Sequence, residues 1–465
     1  MLAGLVGLSV AGGLLLRGAW DLWAQTAVLL LLIGGTGLWL AGRLALGWLP
    51  RPDPELLAWS GALAVLSAVS AWTSPVAAYA RPAWAASAAG LALFPLVSMI
   101  DEEGRARLER VLRGAGWLLV LLALHQRLGG VDRPPATFLN QNAFAGAILL
   151  LLPVAARAGD GALAFGLLVC LWWTKSVGAW LGLSVAVLAH RRAVGPFAFW
   201  LGAAAGFVGL VAAYAKLQSP EYLHRVEWWR AAWRMAAASP WLGLGPGAYA
   251  YALPAYAPGR PELSSLFAHQ HFLETAAERG WPYAFLWSAG LFALLKPAPA
   301  GKRFGPVAAL AHGCVDYALG VPGVFWLFCA SCALAAPPSG LAANAPSRRR
   351  PVLVLLVLAA AVAAGRGVWR EFSADRLRAM AAADARAGDA ASARAKLAES
   401  EALVQNPEAA RLRAELVLVD AGPSPRREAL EEAAHHLARA VALDPYRASN
   451  RALLDAVRTR LGSPP

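Results

Sequence analysis

Long apolar runs recur through the first 366 residues of this chain, and that recurrence restricts its fold more than any other feature. About thirteen segments are readable, at approximately 2–16, 24–41, 56–72, 83–100, 114–128, 142–156, 161–174, 176–190, 194–215, 282–296, 304–319, 322–336 and 351–366. Such runs have the character of membrane helices, although several are shorter than the roughly 20 residues that a straight span needs. Charged residues make up only 15% of the chain and hydrophobic ones 58%. A soluble domain carries about 25% charge, so the expected class is all-α: a polytopic membrane protein with about 12–13 transmembrane helices. The opening run, MLAGLVGLSVAGGLLLR, lacks a basic n-region and an A-x-A cleavage site, and it reads as the first membrane helix, not a removed signal peptide.

The net charge of +13 does not point to nucleic acid, because many of the cations sit in short loops between apolar runs. With a cytoplasmic N-terminus, the inside loops hold fifteen Lys and Arg and the short outside loops hold five. That bias follows the positive-inside rule. It puts a long connection at 216–281 outside, in the periplasm if the cell is Gram-negative, together with everything after the last apolar run. The localisation expected is therefore a bacterial inner membrane. The twenty tryptophans suit interfacial belts. The four cysteines, Cys170, Cys314, Cys329 and Cys332, all lie in apolar segments without a metal or disulfide pattern, and they read as small buried hydrophobes.

Two domains are expected: a membrane domain over 1–366 with its large loop at 216–281, and a helical domain over 371–465. The second is rich in Ala, Arg, Glu and Leu. Its segment Ala402–Leu416 matches Ala440–Leu454 at an offset of 38, with Pro407 aligned to Pro445. Tetratricopeptide repeats have a period of 34, and an insertion at Gly422-Pro423-Ser424-Pro425 accommodates the difference. The expectation is a degenerate repeat domain supplying an interaction surface for a protein partner; a plain alanine-rich helical hairpin is the alternative.

The long loop concentrates the chemistry-bearing side chains. Ser219 and Pro220 resemble a helix start, and the spacing predicts a helix over 220–238. On it Trp228 and Trp229 share a face with Arg225. Stacking on an aromatic would stiffen a guanidinium that can fork onto phosphate oxygens; an interfacial helix snorkelling Arg225, Arg230 and Arg234 is the structural alternative. Pro240 ends that helix. Gly243, Gly245 and Gly247 then allow either close approach to a ligand or a tight turn. A second helix is predicted over Leu266–Arg279, stopped by Gly280. His269 and His271 would point about 200° apart on it, which argues against a shared metal. His271, Glu274 and Glu278 share a face, yet no further metal ligand is apparent. A histidine here suits a general base for a hydroxyl.

Two places outside the loop also stand out. Arg133 opens an outside loop, RPPATFLNQNAFAG, where Asn140 and Asn142 are either helix caps or ligands for sugar hydroxyls. His312 and Asp316 lie four apart inside an apolar run. Ionisable residues in a membrane are functional candidates; a structural hydrogen bond between these two is the alternative.

Taken together, these segments resemble the O-antigen ligase family of bacterial polysaccharide enzymes. RPPATFLNQNAFAG is similar to the family's R-x-x-(G)TF-x-N-P-N element, with Gln141 where proline is usual. TKSVGAWLGL is similar to T-x-SRGAWL, with Val177 in place of the arginine. RVEWWRAAWRMAAASPWLGLGPGAY is similar to the R-x-x-x-W…P-x-x-G-x-G-x-G run. AHQHFLETAAERG is similar to the HN-x-(Y/F)-L element, with Gln270 for asparagine. The family histidine falls on His269, which puts Glu278 and Gly280 at the expected +9 and +11.

The resemblance implies inverting transfer of a glycan from undecaprenyl diphosphate, without metal or other cofactor, to a hydroxyl on lipid A-core, another glycan or a protein. It implies catalytic roles for Arg225 and His269. Arg133, Asn140, Asn142, Trp229, Glu278 and Asp316 would bind substrate, and Gly243, Gly245 and Gly247 would form part of a lid over the cavity. The partners implied are the lipid-linked glycan, the acceptor and the bilayer. A polysaccharide polymerase of the same architecture is the nearest rival, and a lipid-linked sugar transporter is a second. A transporter would show internal repeats across its halves, and none is evident in the sequence.

Overall fold

The computed structural model describes residues 1–193, 195–217, 220–258, 264–339, 341–343 and 350–462. The first half of the membrane region comprises α1 (Leu2–Leu15), α2 (Leu22–Ala45), α3 (Pro54–Thr73), α4 (Ala77–Ser98), α5 (Glu102–Leu128) and α6 (Gln141–Arg157). Then come α7 (Gly161–Thr174), α8 (Val177–Ala189) and α9 (Pro196–Leu217). The long connection folds into α10 (Pro220–Ala238) and α11 (Tyr249–Tyr256) and runs into α12 (His271–Leu295). α13 (Ala300–Gly313) and α14 (Pro322–Ala333) complete the bundle. α15 (Arg350–Arg386), α16 (Ala390–Leu403), α17 (Pro407–Ala421), α18 (Arg427–Leu443) and α19 (Ala448–Leu461) form the tail. Among the described residues, strand pairing is confined to Trp48–Pro50 against Leu341–Ala343.

Each of the thirteen apolar runs falls on a helix. Three of these are both long and apolar enough to cross a membrane: Leu22–Ala45, Pro54–Thr73 and Pro351–Arg386. Most of the other apolar helices are 10–17 residues long. α14 is the centre of the bundle, with Trp326, Leu327, Phe328, Cys329, Ala330 and Cys332 all buried. It can sit there because small residues let backbones meet. A Cβ built on Gly323 would lie 2.5 Å from the Gly13 carbonyl oxygen of α1, and one on Gly13 would lie 2.6 Å from the Trp326 ring.

Tryptophans contribute to this core as well as to the periphery. Trp39, Trp287 and Trp326 are buried, and Trp287 stacks on Trp59 at 5.6 Å. The interfacial-belt expectation therefore fails for these rings, whose N–H groups find partners inside: Trp326 donates to Ala86 O and Trp59 to Leu286 O. Cys170, Cys329 and Cys332 are buried as expected. Cys314 is exposed, because α13 ends at Gly313 and leaves it in the following turn.

α15 packs along α2 and continues past it as a single 37-residue helix into α16–α19. Asn406 caps α17 by accepting from Glu408 N, whereas Asp444, 38 positions on, ends α18 and accepts from Tyr446 N. The tail folds back onto the start of α4 and the end of α11: Tyr79 Oη lies 3.5 Å from Glu408 Oε1, and the Tyr256 and Tyr446 rings are 6.3 Å apart. The tail and the long connection thus share one side of the molecule.

Candidate functional site

The connection between α9 and α12 is ordered by its prolines and glycines. α10 occupies the predicted 220–238, while Ser219, its expected cap, lies outside the described residues. Gly243, Gly245 and Gly247 all have positive φ, at 66°, 110° and 71°. The glycine run lies on α12: Leu244 N donates to Ala277 O, Gly245 N to Glu278 O, and Trp281 N to Pro240 O. A Cβ on Gly243 would come within 2.2 Å of the Glu278 carbonyl carbon. Gly243 is needed for this backbone-on-backbone seam, whereas a Cβ on Gly245 would meet Ser74 and one on Gly247 would meet Ala83. Gly243 and Gly245 thus have a structural reason independent of any lid, and Gly247 also lines a cavity.

The second predicted helix is corrected at both ends. α12 starts at His271, not Leu266, with Gln270 as its N-cap accepting from Leu273 N. Gly280 does not stop it. The chain kinks there at φ 81° and ψ 165°, and the helix continues to Leu295. His269 consequently lies before the helix in the left-handed region, with φ 57°. That conformation is costly for a non-glycine residue and concentrates at functional sites.

His269 is held on three sides. Its ring stacks on Trp228 of α10 with centroids 5.0 Å apart, and meets Tyr317 edge to face at 4.8 Å. Its Nδ1 is 3.5 Å from Asp316 Oδ1. Asp316 is itself surrounded. Arg225 Nη2 lies 3.8 Å from Oδ2, and so does His312 Nε2. Arg225 also donates to Val315 O at 2.5 Å, which fixes its guanidinium beside the carboxylate. Distances of 3.5–3.8 Å are too long for good hydrogen bonds, and neither His269 Nδ1 nor either ring nitrogen of the fully buried His312 has a hydrogen-bonding partner among the described residues.

Of the sequence-predicted residues, Arg225, His269 and Asp316 therefore converge. The ring against His269 is that of Trp228; the neighbouring Trp229 has a buried indole N–H without a hydrogen-bonding partner among the described residues. His271 has a separate role: its Nε2 accepts from Trp287 Nε1 at 3.1 Å. Burial, with help from the Arg279 charge, pushes its pKa down, so the ring is a neutral acceptor. Glu278 accepts from Tyr249 N and pairs with Arg279 at 3.1 Å. His271, Glu274 and Glu278 form no metal-binding group, and no such group of three or more ligands occurs among the described residues.

Arg133 and the asparagines stand apart from this cluster. Asn140 caps α6, accepting from Asn142 N at 2.7 Å. Arg133 lies 4.0 Å from Asp132, a carboxylate that also pairs with Arg127 and Lys175. Sequence reasoning missed Arg279, which donates to Ser67 and Ser87, on helices far away in the chain. It also missed Trp228 and Tyr317 as the rings that frame His269.

A cavity of about 460 Å³ lies beside the cluster. Phe267 forms the partition: it lines the cavity and stacks at 4.5 Å on Tyr317, whose ring meets His269. No curated protein matches the chain. Residues 144–288, which hold Arg225, Trp228, His269 and Glu278 but stop short of His312 and Asp316, match the family model described as O-Antigen ligase.

Proposed function

We propose that the protein transfers a glycan from an undecaprenyl-diphosphate donor to a hydroxyl acceptor at the outer face of a bacterial inner membrane. The observation that carries this reading is the convergence of Arg225, His269 and Asp316 inside and just beyond the matched region. In this reaction the acceptor oxygen attacks the anomeric carbon of the donor sugar. The bond from that carbon to the diphosphate breaks, and its electron pair leaves with the diphosphate. Attack opposite the leaving group inverts the anomeric centre, and no metal takes part.

The side chains divide the work. Asp316 on the Nδ1 side of His269 orients the ring and stabilises the imidazolium formed when Nε2 takes the acceptor proton. The Trp228 stack fixes the ring plane. Arg225, one of whose donors is held by Val315 O, neutralises charge building on the diphosphate. Arg133, Asn142 and Trp229 are retained as donor-binding candidates. A polymerase would use the same donor chemistry and differ only in the acceptor.

The test is incubation of the purified full-length protein with undecaprenyl-diphosphate glycan and separate lipid A-core, glycan and peptide acceptors, read by mass spectrometry. A product heavier than one acceptor by the donor glycan is expected. If the donor is left intact with every acceptor, the transferase reading is wrong.

A further inference from the structure

The cavity beside His269 has more acidic than basic side chains in its lining. Five carboxylates line it, Glu274, Glu278, Glu371, Asp375 and Glu408, against two guanidiniums, Arg279 and Arg378. Arg279 pairs with Glu278, Arg378 with Asp375 and Arg447, from outside the lining, with Glu408, which leaves Glu274 and Glu371 without an ion-pair partner among the described residues. Burial pushes the Glu274, Glu278 and Glu371 carboxyls up, so the cavity offers acidic groups with little to attract a diphosphate, whereas Arg225 stands outside its lining beside Asp316.

The rest of the lining fits a sugar chain. Trp20, Tyr79, Tyr251 and Phe267 put aromatic rings in the wall, Tyr79 and Tyr251 stacking on each other at 3.7 Å. Ligand sites combine such surfaces with a few placed polar groups in volumes of roughly 300–1,000 Å³. One polar group is unspent. Glu274 is 8% exposed, and its Oε2 accepts from Ala268 N. Glu274 lines the cavity, and no hydrogen bond to its Oε1 is found among the described residues. Carboxylate oxygens accept strong hydrogen bonds from hydroxyl and ammonium groups.

The tail completes the wall. Glu371 and Asp375 come from α15 and Glu408 from α17, and all three lie outside the stretch that matches the family model. We propose that this cavity is the acceptor subsite, that it takes a glycan free of negative charge, and that the tail sets this selectivity through Glu371, Asp375 and Glu408. The inference rests on the transferase reading, and it names the acceptor class for that reading.

The test begins with binding, so that it stands apart from turnover. The purified full chain is titrated calorimetrically at low salt and about pH 6 with chitosan trimer and with trigalacturonate. The wild type is expected to bind the amino trimer at least about tenfold more tightly, a gap that one charge-assisted hydrogen bond supplies. Replacing the tail carboxylates together (Glu371→Gln, Asp375→Asn, Glu408→Gln) is expected to close most of that gap. The control substitutions Glu428→Gln, Glu431→Gln and Glu432→Gln, at exposed positions of α18, should leave it intact. Should the triple variant fail to fold, Glu371→Gln alone gives the same comparison. Equal binding of the two trimers to the wild type, or an unchanged gap in the tail variant, overturns the proposal. In transfer assays the tail variant should raise the acceptor KM about tenfold with the donor KM unmoved. Absence of wild-type transfer sinks the transferase reading instead, whatever the titrations give.

Discussion

Asp316 gathers side chains from α10, the turn before α12 and the end of α13, and that gathering is what single substitutions can probe. Arg225→Lys keeps the charge but loses the planar fork. Transfer is expected to fall at least tenfold, with the amount of protein in the membrane unchanged; near-normal transfer by Arg225→Ala would remove Arg225 from the mechanism. The two histidines make a sharper pair. His269→Ala is expected to lower kcat by about 10²–10⁴-fold, the usual contribution of a general base, whereas His271→Ala removes an internal acceptor for Trp287 and should cost stability more than turnover. Rates normalised to folded protein decide between them. If His271→Ala is dead and His269→Ala active, the base has been misassigned. Much of this was legible in the sequence, because Arg225 and His269 are marked by motif order. The choice of Trp228 over Trp229 was not, since both share Arg225's helical face and only the placement of the preceding turn selects one. Arg105, one of the fifteen cations assigned to inside loops, shows the same limit: it is buried and donates to Ala336 O just beyond α14. Its partner lies 231 positions away, which spacing cannot reveal.

The kinked α12 is the element that converts sequence punctuation into a site. A glycine after a run of helix formers reads as a stop, and the sequence reading placed one at Gly280. What the run could not disclose is that the Pro240–Gly245 backbone lies against this point and takes up the hydrogen-bonding groups freed by the kink, through Pro240 O, Leu244 N and Gly245 N. Helix can then resume on the far side. The same contact explains why both strands of the seam need glycine. A Cβ on Gly280 would meet Trp241 O at 2.3 Å, and its φ and ψ fall where essentially only glycine is found. Gly280→Ala is therefore expected to destabilise the protein by about 1–3 kcal/mol from backbone strain alone, with the clash added. Gly42→Ala, at a helical position with open space around it, should be close to neutral. Melting temperatures in detergent measure both. Equal melting of the two variants would mean that the seam does not hold α12 in its kinked form.

At the scale of the molecule, the contacts of the tail with α4 and α11 have a topological consequence. Because Glu408 meets Tyr79 and Tyr446 meets Tyr256, the tail and the long connection must lie on the same side of the membrane. The sequence supplied the direction independently, through fifteen cations in one set of loops against five in the other. On this reading α15 is a spanning helix, its long apolar first half leading from the opposite side to the tail. Cysteine labelling tests the arrangement in full. Cys170, Cys329 and Cys332 are buried but Cys314 is exposed, so the background is Cys314→Ala. Single cysteines then replace Leu266, Val419 and Arg107, all exposed positions in the connection, the tail and the start of α5. With a membrane-impermeant maleimide on spheroplasts, Leu266→Cys and Val419→Cys should label in intact cells, and Arg107→Cys only after permeabilisation. Labelling of Leu266→Cys and Val419→Cys on opposite sides would contradict the tail contacts themselves. Labelling of both only after permeabilisation would leave the fold intact but invert it, placing the Arg225–His269 cluster in the cytoplasm, away from a donor presented at the outer face.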